Sequence, residues 1–236
     1  MPELRREGAL YLLQSAQGGA LSTADFDAAV LRREQRWHGE VAGGRGRVWF
    51  AQIGGQDCVI RHYRRGGLVA RLSERHYVWC GLVRSRVFRE LQLLEWLAAQ
   101  GLPVPVPVGG LIRRRGLFYE AALVTAQIPG AQTLAARLAT APLDEAGWCA
   151  VGRLIRRFHD AGLWHADLNA NNILFDESGK LYLIDFDRGR RRAHKAVWKQ
   201  ANLARLRRSL DKIAARRRVF HYCDADFSLL QRAYGD

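Results

Sequence analysis

The feature that most constrains this chain is the stretch from residue 165 to residue 187, HADLNANNILFDESGKLYLIDFD. His165 and Asp167 open a loop, and Asn172 closes it five residues after Asp167. Asp185 follows thirteen residues after Asn172. Polar side chains at such fixed distances indicate a site.

The residues between Asn172 and Asp185 predict a β-hairpin. Two short apolar runs, residues 173–175 and 181–184, enclose turn-forming residues at 176–179. Such a hairpin brings Asn172, before the first strand, near Asp185, after the second. One amide oxygen and one carboxylate there suit magnesium (Mg²⁺), which takes hard oxygen ligands and keeps phosphate oxygens in its shell.

This stretch resembles the H-x-D-x-x-x-x-N catalytic loop and the following D-F-G motif of the protein-kinase-like superfamily. Either motif alone arises often by chance, whereas both in order and at this spacing are specific. The resemblance implies ATP as phosphoryl donor, Asp167 as the catalytic base, Asn172 and Asp185 as Mg²⁺ ligands, and His165 as a buried loop organiser. The competing interpretation is that Asp167 and Asn172 cap loops and Asp185 ends a strand.

The resemblance also implies the fold. We expect an α+β, bilobal protein-kinase-like fold with a small antiparallel-sheet N-lobe and a mainly helical C-lobe. The 236 residues would form a single kinase-like domain (1–236). The N-lobe would cover about 1–125, the hinge about 125–130 and the C-lobe about 131–236. The backbone of the hinge would meet an adenine edge.

A glycine-rich link precedes the first predicted hairpin, in which residues 48–53 and 58–63 are the strands. Gly44 and Gly46 lie in this link, and glycines allow backbone N–H groups to approach phosphates closely. In a kinase-like fold this is the place of the phosphate-covering loop, so Gly44 and Gly46 are predicted to bind nucleotide. An ordinary hairpin also needs glycines, which is the alternative.

The returning strand carries Arg61, preceded by Val59 and Ile60, where kinases carry the lysine of V-A-I-K. The chain has four lysines, none before Lys180, so a phosphate-binding cation in this half must be arginine. Arg61 would offer phosphate a planar fork instead of a point charge. The alternative is a solvated strand arginine.

Residues 87–100, VFRELQLLEWLAAQ, predict a helix that Gly101 and Pro103 end. Glu90 lies in its first turns and resembles the helix glutamate that pairs with the strand cation in kinases. The resemblance therefore implies an ion pair between Glu90 and Arg61 at the nucleotide site.

Net charge is +14 at pH 7, which favours polyanionic partners such as nucleotides, nucleic acid or an anionic membrane surface. Four cysteines without a C-x-x-C pair fit a reduced cytosolic protein. Without a long apolar stretch or a signal peptide, the chain is expected to be soluble or peripheral. Arginines cluster at 188–192 and after Asn202; they form either a solvated face or a face for anionic substrate or lipid headgroups.

The chain as a whole is similar to the lipopolysaccharide kinases, specifically those that phosphorylate 3-deoxy-D-manno-octulosonic acid (Kdo). The segments that carry this resemblance are 59–67 (VIRHYRRGG), 86–91 (RVFREL), 167–172 (DLNANN), 184–187 (IDFD) and 202–209 (NLARLRRS). It implies phosphate transfer from ATP to a hydroxyl of Kdo on lipid A, usually the 4-hydroxyl. The protein would be peripheral, at the anionic cytoplasmic face of the inner membrane.

Departures from protein kinases agree with this. Asn169 stands where serine/threonine kinases have lysine, and Asp187 where glycine would allow the D-F-G motif to flip. No A-P-E triplet follows, and fewer than 50 residues remain for a peptide-docking lobe. Clustered arginines suit the carboxylate of Kdo and the phosphates of lipid A in Kdo-lipid A, an anionic glycolipid.

Three other functions account for part of the sequence. An aminoglycoside-type kinase shares the catalytic loop, but this cationic protein would repel its cationic acceptors. A nucleic-acid-binding module explains the charge but leaves Asp167, Asn172 and Asp185 without a role, so no nucleic acid is expected as partner. A heptose kinase of the lipopolysaccharide core differs mainly in its acceptor and is the least well separated.

Overall fold

The computed structural model describes residues 2–43, 46–63 and 77–235. Its contacts divide the chain into two compact units, each described by itself. The first comprises Met1–Trp96 with Pro105–Gln127, and the second comprises Leu97–Val104 with Ile128–Asp236. The single kinase-like domain with a hinge near 125–130 stays a prediction.

The first unit is built on an antiparallel sheet that has eight strands in its described part, ordered β1-β2-β7-β8-β5-β4-β3 with β6 paired to β8. The strands are β1 Glu3–Glu7, β2 Leu10–Gln14, β3 Trp37–Gly43, β4 Gly46–Ile53, β5 Gln56–His62, β6 Tyr77–Val78, β7 Pro107–Arg115 and β8 Phe118–Ala126. Short 3-10 helices (Thr23–Phe26, Leu82–Arg84) and helices α1 (Ala28–Arg33) and α2 (Arg86–Ala99) accompany them. Buried apolar side chains, among them Leu12, Leu31, Ile53, Ile60 and Val124, form a core under the sheet.

The predicted hairpin of β4 and β5 is confirmed. Gly54 and Gly55 form its two-residue turn with φ of +58° and +78°, the left-handed values that a tight β-hairpin turn requires. This turn sets the register in which Val48 pairs with Arg61, and Arg61 thereby takes its place on β5.

Apolar residues at helical spacing predict one amphipathic helix near residues 24–36, and the structure differs from this prediction. The backbone of Asp27 is extended, and its side chain accepts a hydrogen bond from the backbone N–H of Ala29 at 2.8 Å. Asp27 is therefore the N-cap of α1 and separates it from the preceding 3-10 helix. Strands β1, β2 and β3 were not predicted.

The Gly- and Arg-rich stretch at residues 64–85 is predicted to have some helical character. Residues 64–76 of this stretch lie outside the described residues.

The second unit is mainly helical. Its helices are α3 (Leu134–Thr140), α4 (Glu145–Asp160), α5 (Ala196–Ala214) and α6 (Asp224–Gly235). Short strands β9 (Gln132–Thr133), β10 (Leu163–Trp164), β11 (Ile173–Phe175), β12 (Leu181–Leu183) and β13 (Arg190–Arg191) complete it. The strand order is β12-β11-β9 in one small sheet, and β10 pairs with β13. Leucines and an isoleucine at helical spacing from Asn202 onward predict a helix there; α5 confirms it and begins six residues earlier. Helix α6 was not predicted.

Helices α4 and α6 pack closely at Gly152. A Cβ atom on Gly152 would lie 2.3 Å from the backbone oxygen of Leu230, so only glycine permits this approach. Arg156 of α4 donates a hydrogen bond to the backbone oxygen of Tyr234 at 2.6 Å. Trp148 and Ile155 lie in the core, and α4 thus leads the chain from a fixed position into β10 and the loop after it.

The predicted α+β class, with one sheet-based unit and one mainly helical unit, is confirmed. Among residues 2–43, 46–63 and 77–235, no helix combines the length and the apolar character needed to cross a membrane.

Candidate active site

The hairpin of β11 and β12 joins the two predicted metal ligands through its register. Ile173 pairs with Leu183, and the backbone N–H of Ile184 donates to the backbone oxygen of Asn172 at 3.0 Å. Asp185 is the next residue along the chain. The predicted hairpin is therefore present, and its backbone brings Asn172 beside the residue that precedes Asp185.

The turn of this hairpin is fixed by one side chain. Oδ1 of Asp176 accepts hydrogen bonds from the backbone N–H of Ser178 (2.9 Å), the hydroxyl of Ser178 (2.7 Å) and the backbone N–H of Lys180 (2.9 Å). This local hydrogen bonding stabilises the turn and thereby the strand register on which the site depends.

The amide of Asn172 has a defined orientation. Asn172 is 8% exposed, and its Nδ2 donates to the backbone oxygen of Asp167 at 2.8 Å. A carbonyl oxygen requires a donor, so the NH₂ group must face Asp167. Oδ1 of Asn172 is then the atom that can serve as an oxygen ligand.

Asp185 has a φ of +63°, a left-handed backbone conformation that residues other than glycine rarely adopt. Strain of this kind costs about 1–3 kcal/mol and occurs preferentially at functional sites. The next residue, Phe186, is 1% exposed and packs against the rings of His165 and Phe158, at centroid distances of 5.3 and 6.0 Å. Phe186 therefore anchors the segment, while Asp185 itself is half-buried.

His165 connects the catalytic loop to the hairpin. It is 1% exposed; its Nδ1 accepts from the backbone N–H of Asp167 at 3.1 Å, and its Nε2 lies 3.0 Å from the backbone oxygen of Ile184. These partners require the proton on Nε2. Burial lowers the pKa of His165, so the ring stays neutral and organises the loop.

The carboxylate of Asp167 is bound by Arg205. Nε of Arg205 lies 3.0 Å from Oδ1 of Asp167, and Nη2 donates to the same oxygen. Burial acts to raise the pKa of Asp167. The hydrogen bonds and the positive charge of Arg205, together with a hydrogen bond from Asn169, outweigh burial and lower this pKa below its ordinary value. Asp167 is therefore ionised at neutral pH.

Three residues on one face of α5 support the catalytic loop, and the sequence analysis gave them no role. Asn202 accepts from the backbone N–H of His165 at 3.1 Å and donates to its backbone oxygen at 3.0 Å. Ser209 accepts from the backbone N–H of Ala170 at 3.3 Å, and Arg205 lies between them in the sequence. Their spacing of three and four residues was the available signal.

In the first unit, the predicted ion pair between Arg61 and Glu90 is present. Glu90 is 3% exposed, and its second oxygen accepts a hydrogen bond from the hydroxyl of Tyr63. A buried carboxylate needs such partners. Burial and the charge of Glu90 raise the pKa of Tyr63, so this hydroxyl stays a donor. Tyr63 was missed, although strand alternation places it on the face of Arg61.

Only the two ends of the glycine-rich stretch, Gly43 and Gly46, belong to the described residues. Gly46 begins β4 and pairs with Gly43, the last residue of β3. Gly44 lies outside the described residues. Nucleotide binding by Gly44 and Gly46 stays a prediction.

The described residues contain no group of three or more His, Cys, Asp or Glu side chains arranged to hold a metal ion. Mg²⁺ in phosphoryl-transfer enzymes uses one or two protein ligands and completes its shell with phosphate oxygens and water. One carboxylate and one oriented amide oxygen, on Asp185 and Asn172, fit that donor set.

A sheet-based unit in which an arginine pairs with a buried glutamate, and a helical unit with an H-x-D-x-x-x-x-N loop before a D-F motif, define a protein-kinase-like phosphotransferase. The model of the Lipopolysaccharide kinase (Kdo/WaaP) family matches residues 28–234. The chain belongs to this family, as its sequence motifs predicted.

Curated relatives named 3-deoxy-D-manno-octulosonic acid kinase are similar to this chain over most of their length, as three of them illustrate. The protein from Stenotrophomonas maltophilia (strain K279a) is 47% identical over 229 residues, which are 92% of this chain and 91% of the relative. The protein from Xylella fastidiosa (strain 9a5c) is 45% identical over 202 residues, 84% and 79% of the two chains. The protein from Xanthomonas campestris pv. campestris (strain B100) is 45% identical over 210 residues, 87% and 84% of the two chains.

Proposed function

We propose that this protein transfers the γ-phosphoryl group of ATP to a hydroxyl group of Kdo on Kdo-lipid A, the 4-hydroxyl, in lipopolysaccharide core biosynthesis. The observation that carries the proposal is the ionised Asp167 in a loop that His165 and Asn172 tie to the hairpin leading to Asp185. Similarity to relatives named Kdo kinases supports the choice of acceptor.

Each residue of the site has a proposed part in this reaction. Arg61, held by Glu90, binds phosphate oxygens of ATP, and the backbone of Gly44 and Gly46 covers them. Asn172 and Asp185 (each through oxygen) hold Mg²⁺, which neutralises charge on the phosphates.

Asp167 orients the acceptor hydroxyl and accepts its proton late in the transfer. The hydroxyl oxygen forms a bond to the γ-phosphorus while the bond from that phosphorus to the β,γ-bridging oxygen breaks, and ADP leaves. Catalysis is mostly positioning and charge stabilisation in such reactions. A base with a lowered pKa is adequate for a proton that moves late.

We also propose peripheral association with the anionic cytoplasmic face of the inner membrane, with no nucleic acid as partner. The net charge of +14 supports an anionic surface as partner. Arg190 and Arg191 are exposed on β13, and the guanidinium of Arg192 lies 3.9 Å from the ring centre of Trp164. These arginines are candidates for contact with lipid headgroups or with the phosphates of lipid A.

Mass spectrometry of the product tests the proposal most directly. Purified protein is incubated with ATP, Mg²⁺ and Kdo-lipid A, with Asp167→Asn as the matched control. We expect one added phosphate on the Kdo residue with the natural sequence and far less with the control. A phosphate on heptose in a heptose-containing acceptor, with none on Kdo, would make the protein a heptose kinase. Retention on DNA at physiological salt without phosphate transfer would favour a nucleic-acid-binding module.

A further inference from the structure

The carboxylate of Asp167 forms an ion pair with an arginine from a distant part of the sequence. Arg205 lies 38 residues further along the sequence, on α5, and both of its hydrogen bonds reach Oδ1 of Asp167. Neither of these bonds uses Oδ2. The guanidinium therefore holds the carboxylate by one oxygen.

The catalytic loop does not supply such a cation itself. Asn169, two residues after Asp167, donates to the backbone oxygen of Asp167 at 2.9 Å and accepts from the backbone N–H of Asn171 at 2.8 Å. Asn169 thus shapes the turn and brings no charge. A cation beside Asp167 has to come from another element, and α5 provides it.

The backbone that carries Arg205 is firmly anchored. Asn202 makes two hydrogen bonds with the backbone of His165, and Ser209 makes one with the backbone of Ala170. Leu206, next to Arg205, has no exposed surface. A side chain on such a scaffold can set the position of its partner.

The energetic scale separates a stabilising role from a positioning role. Both side chains of the pair are about half exposed, at 47% for Arg205 and 49% for Asp167. An ion pair as exposed as this one contributes little to stability. A displacement of about 1 Å in a catalytic group can reduce the rate about 100-fold. The consequence of the pair is therefore expected in turnover and not in stability.

We infer that Arg205 is a positioning residue for Asp167, whose Oδ1 it binds so that Oδ2 faces the acceptor hydroxyl. This inference rests on the proposed role of Asp167 as the base. It assigns to α5 the cation that serine/threonine kinases carry two residues after the catalytic aspartate.

Steady-state kinetics of variants of the full chain test the inference. Arg205→Ala is expected to lower kcat between about 10- and 100-fold and to leave the KM for ATP unchanged. Arg205→Lys keeps the charge and is expected to restore part of kcat. The control is Arg115→Ala, which removes another exposed arginine of an ion pair, that with Glu120 on β8, and is expected to keep kcat within about twofold.

A double-mutant cycle shows whether Arg205 acts through Asp167. If it does, Asp167→Asn combined with Arg205→Ala turns over as slowly as Asp167→Asn alone, because coupled residues are not additive. Additive losses, an unchanged kcat in Arg205→Ala, or a raised acceptor KM at unchanged kcat would each overturn the inference. Arg205→Gln replaces Arg205→Ala if the alanine variant does not fold.

Failure of the proposed function has a different signature. Full turnover in Asp167→Asn would remove the base assignment whatever the Arg205 variants do. A different acceptor would leave the Arg205 comparison intact, because the same ratios are measured with that acceptor.

Discussion

Arg61 and Glu90, 29 residues apart in the sequence, form an ion pair in which the Glu90 side chain is buried and the Arg61 side chain is 27% exposed. The buried partner is also bound by Tyr63. The pair therefore fixes Arg61 while its side chain stays partly accessible to solvent, which suits the proposed contact with phosphate.

The first prediction concerns this pair. Arg61→Lys restores the residue usual in kinases, but a lysine cannot reproduce the planar fork, so we expect lower activity and a higher KM for ATP. Initial rates at varied ATP concentration measure this. The matched control is Arg47→Lys, an exposed position on β4. Unchanged kinetics in Arg61→Ala would show that another arginine binds the phosphates.

The second prediction concerns Asp185. Asp185→Ala and Asp185→Gly should both abolish turnover, because both remove the carboxylate proposed to bind Mg²⁺. Glycine adopts a φ of +63° more readily than alanine. The free energy of unfolding of the Asp185→Gly variant should therefore exceed that of the Asp185→Ala variant by about 1 kcal/mol. Urea unfolding and ATP turnover are the two measurements. Full activity in either variant would remove the metal assignment.

The third prediction concerns the base. Asp167→Asn keeps the shape of the side chain and removes its charge, and loss of a general base lowers the rate by about 10²- to 10⁴-fold. We expect a fall in kcat within that range and an almost unchanged affinity for ATP, measured by nucleotide titration. Loss of ATP binding with retained turnover at saturation would instead make Asp167 a nucleotide or metal ligand.

The fourth prediction concerns stability and pH. His159 is 2% exposed; its Nδ1 lies 2.9 Å from the hydroxyl of Tyr234, and its Nε2 lies 3.4 Å from Oδ1 of Asn202. Burial lowers the pKa of His159 from 6.5 to about 4. The unfolded chain therefore binds this proton more readily between about pH 6.5 and pH 4.

The stability that His159 contributes is consequently complete above about pH 6.5 and is lost as pH falls towards 4, by about 3 kcal/mol at most. Urea unfolding from pH 7 to pH 4.5 measures the loss. In His159→Gln, which cannot take up the proton, the same pH change should lower the free energy of unfolding less. Equal pH dependence in the two proteins would contradict the prediction.

The fifth prediction concerns the membrane surface. Replacing Arg190, Arg191 and Arg192 together by glutamine should weaken binding to anionic vesicles by about 1 kcal/mol per charge near the surface. Co-sedimentation with phosphatidylglycerol vesicles measures this. The control replaces three other exposed arginines, residues 216–218, which changes the net charge equally. Equal losses of vesicle binding in the two triple variants would show that the effect depends only on the overall charge.

Local patterns in the sequence predicted the hairpin after the catalytic loop, because apolar runs and turn residues within fifteen positions determine it. They also placed Asp167, Asn172 and Asp185 in one segment. Prediction of the Arg61–Glu90 pair required the resemblance to kinases, because no local sequence pattern indicates a contact between a strand residue and a helix residue 29 positions away.

The contact of Arg205 with Asp167 could not be predicted in this way. The local sequence does not show which residue an exposed arginine on a helix will contact. Arg205 of α5 reaches Asp167 only through the tertiary packing of the second unit. Strand β1 was missed for a related reason. Its sequence, ELRRE, is charged at every position except Leu4 and forms a strand because β2 pairs with it.

The packing of α6 has a consequence for the loop that carries Asp167. Hydrogen bonds connect Tyr234 to His159, His159 to Asn202, and Asn202 to the backbone of His165. The loop is thus held in part by a helix that carries none of the proposed site residues. We expect catalysis to depend on α6 for this reason, so that damage to its packing impairs turnover as well as folding.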